Sequence, residues 1–261
     1  MMRYFLLCWR LLCINLLRET AYRANFLGQL LQSFLSLGSG LLGLEVVTSH
    51  GQLNGWDGNR LLLLLGIYEV VGGVITLVIQ PNMQQLMREI HQGTLDFALL
   101  KPVDAQLLIS LRRVEVWKLG DIIIGLGVLF VALVRLGTLL TWTQTLVFLV
   151  MLATGCALIY SFWLILATCA FWLVKVENIL VIFQDLYQAG RWPVTVYPDW
   201  LRWTLTFLVP VAVATTLPAQ ALLGELNGPF LPLTLLLLPA SILLSRWFWL
   251  RGLRHYTGAS A

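Results

Sequence analysis

Long hydrophobic runs without charged residues divide this chain. Residues 24–44, 136–174, 203–224 and 226–245 contain no Asp, Glu, Lys or Arg, and residues 61–87 contain only Glu69. Each run is close to, or longer than, the roughly 20 apolar residues with which a helix crosses a bilayer core. The runs are continuous rather than alternating, which favours helices over a β-barrel. The pattern predicts spanning helices near 24–48, 60–82, 113–135, 142–174, 177–197 and 229–249.

The composition supports an integral membrane protein. Of the 261 residues, 59% are hydrophobic and 11% are charged, and the mean hydropathy is +0.82. A soluble domain carries about a quarter charged residues. We therefore expect an all-α integral membrane protein with six transmembrane helices, and the composition excludes a soluble globular domain.

The basic residues are unevenly distributed about the predicted spans. If the N-terminus lies inside, thirteen of the 17 Lys and Arg residues fall on the cytoplasmic side. The remaining four are Arg60, Arg135, Arg191 and Arg202. This positive-inside bias predicts a multi-pass protein of the inner (plasma) membrane with both termini in the cytoplasm. It also accounts for the net charge of +4 without a nucleic-acid partner.

The first 23 residues predict a helix that lies in the membrane interface. Arg3, Arg10 and Arg18 fall within roughly 60° of one another at helical spacing, and they interrupt the apolar run that a signal peptide needs. No small-residue cleavage site follows them. An N-terminal interfacial amphipathic helix at 1–23 fits this pattern, and a retained signal anchor is the alternative.

A semi-polar insert at 82–112 follows the second predicted span. We expect Pro81 and Asn82 to end that span, because proline disrupts helical hydrogen bonding. A short amphipathic helix then ends at Gly93, and Asp104 is placed to cap the next helix. The apolar face of the short helix consists of Met83, Leu86, Met87 and Ile90. We expect such a helix to present a surface to which a cytoplasmic partner binds.

The region 191–224 is irregular because it contains several prolines. These are Pro193, Pro198, Pro210 and Pro218. If 177–197 crosses outward and the last span returns inward, then 199–224 enters from the outer face and leaves by the same face. Backbone of this kind is tolerated at membrane depth where protein or a water-filled cavity covers it. In the alternative topology, 177–191 is an interfacial cytoplasmic helix and 200–222 crosses the membrane.

Two stretches resemble segments of a known permease family. The stretch IHQGTLDFALLKPVDAQ (90–106) is similar to the pattern G-T-L-D-F-L-L-x-K-P-V. The stretch WPVTVYPDWLRWTLTFLVPVAVATTLPAQALLG (192–224) is similar to P-x-x-x-Y-P-x-W-L-R-x-x-x-T-F-x-x-P. Both patterns belong to one bacterial branch of the type-2 ABC exporter permeases. The resemblance covers essentially the whole chain and implies a six-span permease domain at 24–261.

The resemblance implies that the insert is a coupling helix, which docks on a nucleotide-binding subunit. The candidate ATPase-coupling residues are Arg88, Glu89, His91, Gly93, Thr94, Asp96, Lys101 and Pro102. The implied partners are a cytoplasmic ABC ATPase dimer, membrane lipid and a second permease, which is either another copy or a related chain. The alternative is a solvated loop whose charges only follow the topology.

The sequence contains no nucleotide-binding motif of its own. No G-x-x-x-x-G-K-[ST] stretch is present, and no metal-ligand spacing occurs. We therefore expect no enzyme activity and no cofactor or metal in this chain. ATP and Mg²⁺ are expected on the partner subunit.

Glu69 is the one charged residue inside the second predicted span. An ionisable residue at that depth is costly and usually faces protein or water. It either lines the translocation path or pairs with Arg60 or Arg191, and the sequence does not separate these alternatives. The candidates for the path or its gate are Glu69, Asp185, Pro210 and Pro218.

The function that these features favour is ATP-driven export of an amphipathic, lipidic or hydrophobic substrate. An ion-coupled secondary transporter is the first alternative, although it would be expected to carry more carboxylates at membrane depth. A membrane assembly subunit that does not transport is the second alternative. A membrane-embedded enzyme requires clustered His, Asp or Glu residues, and the sequence shows no such cluster.

Overall fold

The computed structural model of the chain describes residues 23–49, 51, 53–138, 140–173, 177–226 and 230–256. Within these ranges the structure is helical, and no strand forms beyond an isolated bridge between Leu53 and Trp56. The predicted interfacial helix at 1–23 lies outside the described residues, apart from Arg23 at the start of the first helix.

The helices are named in chain order. The first part contains α1 (Arg23–Ser49), α2 (Gly58–Val74), a π-helical turn (Ile75–Ile79), α3 (Gln80–Gln92), α4 (Asp96–Leu99), α5 (Ala105–Leu111) and α6 (Leu119–Leu136). The second part contains α7 (Trp142–Thr168), α8 (Glu177–Gln188), α9 (Asp199–Trp203), a π-helical turn (Thr204–Leu208), α10 (Val211–Ala214), α11 (Thr216–Leu223) and α12 (Phe230–Leu253).

Among the described residues, five continuous helices are long and apolar enough to cross a membrane. They are Gly28–Ser49, Gly58–Gln92, Val116–Leu136, Trp142–Phe171 and Leu231–Leu253. A bent pair of helices, Asp199–Leu208 with Val211–Leu223, is together also long and apolar enough, and its halves meet at an angle of 70°. The prediction of a multi-pass, all-α integral membrane protein is confirmed.

The second span continues through Pro81, and the prediction that it ends there was wrong. Pro81 has no N–H group to donate to the carbonyl of Leu77, four residues earlier. The π-helical turn precedes this position, and the N–H of Glu115 donates to the Leu77 carbonyl instead, at 2.9 Å. The buried Asn82 side chain exchanges hydrogen bonds with the backbone N–H and C=O of Arg113, at 3.0 and 2.6 Å. Tertiary bonds therefore replace the helical bonds that proline removes.

Helices α2 and α6 pack closely at glycines. A Cβ atom added at Gly66 would lie 2.7 Å from the backbone nitrogen of Leu129. A Cβ atom added at Gly125 would lie 2.7 Å from the backbone nitrogen of Val70. Such contacts fix the relative position of the two helices, because no larger residue fits at this separation.

Helix α8 is shorter than the helix predicted over 177–197. It ends at Gln188 and continues as a 3₁₀ turn at Ala189–Arg191, after which Trp192 is extended. The extended conformation follows from Pro193, which disfavours helical geometry in the residue before it. The prediction of a helix through residue 197 was wrong. The twelve residues of α8 rise about 18 Å, and the 3₁₀ turn and extended residues that follow carry the chain on to Thr195, beside Asn54.

Both ends of the bent pair lie at the same end of the bundle. Before the pair, the Asn54 side chain donates to the carbonyl of Thr195 at 2.7 Å. After the pair, Arg60 forms an ion pair with Glu225 at 2.9 Å. Asn54 and Arg60 both flank the start of α2, so the bent pair enters and leaves on one side. This geometry favours the re-entrant interpretation over the topology in which 200–222 crosses the membrane.

Candidate coupling surface and intramembrane cavity

The segment that follows α3 is a compact series of turns. Helix α3 ends at Gly93, which has a left-handed backbone (φ 69°), and the N–H of Thr94 donates to the Glu89 carbonyl at 3.0 Å. Asp104 caps α5, because its side chain accepts a hydrogen bond from the N–H of Leu107 at 3.1 Å. The roles expected for Gly93 and Asp104 in ending and starting these helices are confirmed.

Asp104 also ties this segment to the last span. Its carboxylate accepts two hydrogen bonds from the Arg246 guanidinium of α12, at 2.6 and 3.2 Å. The same guanidinium donates to the side chain of Gln106 at 2.8 Å. The hydrogen bonds from Arg246, with a contribution from the Leu107 N–H, hold the pKa of Asp104 below its usual value.

Glu89 stabilises the segment through contacts with other residues of the chain. Its carboxylate lies 2.8 Å from the Arg112 guanidinium, and both side chains are only 16% exposed. Gln85 donates a further hydrogen bond to Glu89 at 3.0 Å. Of the candidate coupling residues, Glu89 therefore contacts its own chain rather than facing outward.

Other candidates lie on the outside of the turn. Arg88, His91, Lys101 and Pro102 are exposed, whereas Gly93, Thr94 and Asp96 are half-buried. The ring of His91 lies 3.3 Å from the carbonyl of Leu173, so it also borders the end of the fourth long helix.

Two apolar side chains at the tip of the turn were not among the candidates. Phe97 is 74% exposed and Leu100 is 82% exposed, whereas their neighbours Leu95 and Ala98 are buried. The sequence signal was the spacing of Phe97 and Leu100, which are three residues apart and thus share one face of a helical turn. We name the exposed set of Arg88, His91, Phe97, Leu100, Lys101 and Pro102 the coupling surface.

A cavity of about 370 Å³ lies between α1, α2 and α8. We name it the charged cavity, because Glu69, Lys118, Asp121 and Arg191 line it. Further lining residues are Gln32, Ser33, Ser36, Tyr68, Gly72, Gly73, Ile75, Thr76, Gln80, Trp163, Phe183, Gln184, Tyr187 and Gln188. The cavity extends from Gln80 and Lys118, near the coupling surface, to the middle of the second span.

Arg191 is held at the deep end of the charged cavity. Its guanidinium donates to the hydroxyl groups of Ser36 and Ser39 on α1, at 2.9 and 3.4 Å. It also lies over the ring of Tyr68, 5.2 Å from the ring centroid, in the geometry of a cation–π contact.

Glu69 has no salt-bridge partner within 4.0 Å among the described residues. The alternative that paired it with Arg60 or Arg191 was wrong, because Arg60 binds Glu225 and Arg191 binds the serines of α1. The Oε1 atom of Glu69 is buried, and no described residue provides it with a hydrogen-bond partner. At the other end of the cavity, Asp121 pairs with Lys118 at 3.6 Å.

The remaining path candidates lie away from the charged cavity. Asp185 is exposed on α8. Pro210 stands at the break of the bent pair, and Pro218 is buried within α11. The structure thus brings Glu69 to a cavity and leaves the other three candidates outside it. In the described part of the chain, no group of three His, Cys, Asp or Glu residues is arranged to hold a metal ion.

The described helices thus form a bundle of long apolar helices around a charged cavity, with a series of turns beyond one end. The chain belongs to the ABC-2 transporter family, because the family model "ABC-2 family transporter protein" matches residues 34–260. No curated protein and no solved structure matches the chain. The family supports the role of a multi-pass permease subunit, which generally has no catalytic activity of its own and associates with an ABC ATPase.

Proposed function

We propose that this chain is the permease of an ATP-driven exporter and that the coupling surface docks on its ATPase. ATP and Mg²⁺ bind to a nucleotide-binding subunit dimer, and a second permease, identical or related, completes the transporter in the inner membrane. The substrate is an amphipathic, lipidic or hydrophobic molecule. The observation that carries the proposal is the exposed pair Phe97 and Leu100 at the tip of a turn that is otherwise braced.

Hydrogen bonds and ion pairs connect the segment that carries the coupling surface to the helix bundle. Asn82 binds the backbone of Arg113, Glu89 binds Arg112, and Asp104 binds Arg246. These contacts join α3, the chain around α5 and the last span. Movement of the turn therefore displaces these helices together. Alternating exposure requires this kind of rigid-body motion.

The unbroken second span connects the coupling surface to the charged cavity. The helix Gly58–Gln92 contains 35 residues and is about 50 Å long. Glu69 lies on this helix, roughly 35 Å from the end at Gln92. Because the helix does not break at Pro81, we expect tilting at the coupling surface to move Glu69 relative to α1 and α8.

The first test of the proposal is capture of the ATPase by the tagged chain. We expect the wild-type protein, purified from its native membrane in mild detergent, to retain a subunit with ATP-binding motifs and with ATPase activity. The double variant Phe97→Ala/Leu100→Ala is expected to retain less than about a tenth of it, because a central apolar anchor contributes most to a docking contact.

The matched control is Leu236→Ala/Leu243→Ala, which removes two similarly exposed leucines from α12. It is expected to retain the ATPase at the wild-type level. If the wild-type chain captures no ATP-binding subunit, the proposal gives way to an ion-coupled secondary transporter or an assembly subunit. If the Phe97/Leu100 variant captures as much ATPase as the wild type, docking lies elsewhere on the chain.

A further inference from the structure

Among the described residues, the four charged side chains that line the charged cavity are balanced. Two are acidic, Glu69 and Asp121, and two are basic, Lys118 and Arg191. Asp121 and Lys118 form an ion pair at 3.6 Å, and Asp121 also contacts the hydroxyl of Ser33. Glu69 and Arg191 thus remain without a salt-bridge partner within 4.0 Å among the described residues.

The remaining pair, Glu69 and Arg191, lies within range of mutual attraction but not in contact. Each belongs to a different element, since Glu69 is on α2 and Arg191 follows α8. Arg191 is kept in place by Ser36 and Ser39, and Oε1 of Glu69 has no hydrogen-bond partner in the described structure. Separated opposite charges at this depth are costly. A ligand that carries both charges satisfies each of them without moving either residue.

Aromatic side chains line the same cavity. Trp163 and Phe183 meet edge to face at 4.9 Å between ring centroids. Tyr187 stacks on Tyr68 and donates its hydroxyl hydrogen to the Tyr68 carbonyl at 2.8 Å. Aromatic rings attract ammonium groups through their negatively polarised faces. Because the Arg191 guanidinium already covers the Tyr68 ring, the cavity offers Glu69 and the rings of Trp163 and Phe183 for a cation, and the Arg191 guanidinium for an anion.

We propose that the charged cavity binds the zwitterionic head of an amphipathic ligand within a single permease chain. The ammonium group lies toward Glu69 and the aromatic rings, and the anionic group lies toward Arg191. A ligand with net charge would leave one of these residues uncompensated, because the lining charges sum to zero. This inference rests on the proposed function, and it deepens it by naming the class of substrate.

Binding of three matched probes to the purified chain tests the inference. The probes are decylphosphocholine, decyl methyl phosphate and decyltrimethylammonium, which share a chain and differ in head charge. Equilibrium dialysis is performed below their critical micelle concentrations, with protein-free maltoside micelles as background. We expect the wild-type chain to bind the phosphocholine probe at least tenfold more tightly than either singly charged probe.

Two substitutions each remove one of the two charges of the site. Glu69→Gln is expected to weaken phosphocholine binding at least tenfold, to the level of decyl methyl phosphate. Arg191→Gln is expected to weaken it to the level of decyltrimethylammonium. Arg135→Gln, which removes an exposed cation outside the cavity, is expected to bind all three probes as the wild type does. If Arg191→Gln does not fold, the wild-type preference and the Glu69→Gln result decide the matter.

Some results would overturn the inference. These are equal binding of a singly charged probe to the wild-type chain, binding no greater than background, and unchanged phosphocholine binding in Glu69→Gln. The outcome is separate from that of the ATPase capture. Capture without probe binding removes the zwitterion site and leaves the permease function in place. Probe binding without capture leaves a ligand site and removes the ATP-driven function.

Discussion

Asn82 shows how a single side chain keeps the second span continuous. It is fully buried, and its amide group binds the N–H and C=O groups of Arg113 as well as the carbonyl of Val78. The sequence pattern around Pro81 indicated the end of a span, because proline removes a helical hydrogen bond. The compensating bonds come from Arg113 and Glu115, more than 30 residues along the chain. Local sequence therefore did not reveal them.

Replacing Asn82 with alanine is expected to destabilise the protein by about 2–5 kcal/mol, because buried backbone groups of Arg113 lose their partners. The measurement is the midpoint of thermal unfolding in detergent, compared with Gln84→Ala on the same helix. Gln84 is half-buried and makes no comparable tie between segments. Equal midpoints for the two variants would show that Asn82 does not hold the helix to the chain around Arg113.

At the scale of elements, the long helices were predictable and the irregular ones were not. Helices α1 and α12 begin and end within four residues of the predictions at 24–48 and 229–249, because their apolar runs are continuous. Helix α7 begins at the predicted residue and ends at Thr168, six residues before the end predicted in 142–174. Helix α8 ends early, since Pro193 overrides the apolar pattern. The charged cavity includes a contact between Arg191 and Ser36, which lie 155 residues apart in the sequence, so local patterns did not reveal it.

The contact between α2 and α6 gives a matched test of close helix packing. Gly125→Ala is expected to destabilise the protein by about 1–3 kcal/mol, because the added methyl group meets the backbone of α2. Gly127→Ala, two residues along the same helix, has no atom within 4 Å of the added Cβ. It is expected to be neutral or to stabilise the protein by up to about 1 kcal/mol, through helix propensity. Thermal unfolding of both variants in the same detergent measures the difference, and equal effects would contradict the packing.

At the scale of the whole molecule, one continuous helix joins the coupling surface to the charged cavity. The coupling surface follows the Gln92 end of the helix Gly58–Gln92, and Glu69 lies about a third of the way along it from the Gly58 end. The bent pair closes the other end, where Glu225 binds Arg60. Under the proposed function, movement of the ATPase at the coupling surface therefore changes the charged cavity without an additional linking segment. The sequence resemblance predicts where coupling takes place, and that stays a prediction, whereas the continuity of the helix follows from tertiary contacts.

The most direct test of docking is photo-crosslinking from the tip of the turn in native membranes. A benzoylphenylalanine replaces Phe97 in one variant and Trp142 in another, and Trp142 is exposed at the start of α7 away from the coupling surface. We expect a covalent adduct with an ATP-binding subunit from position 97 and none from position 142. No such adduct from position 97, or equal adducts from both positions, would contradict docking of the ATPase on the coupling surface.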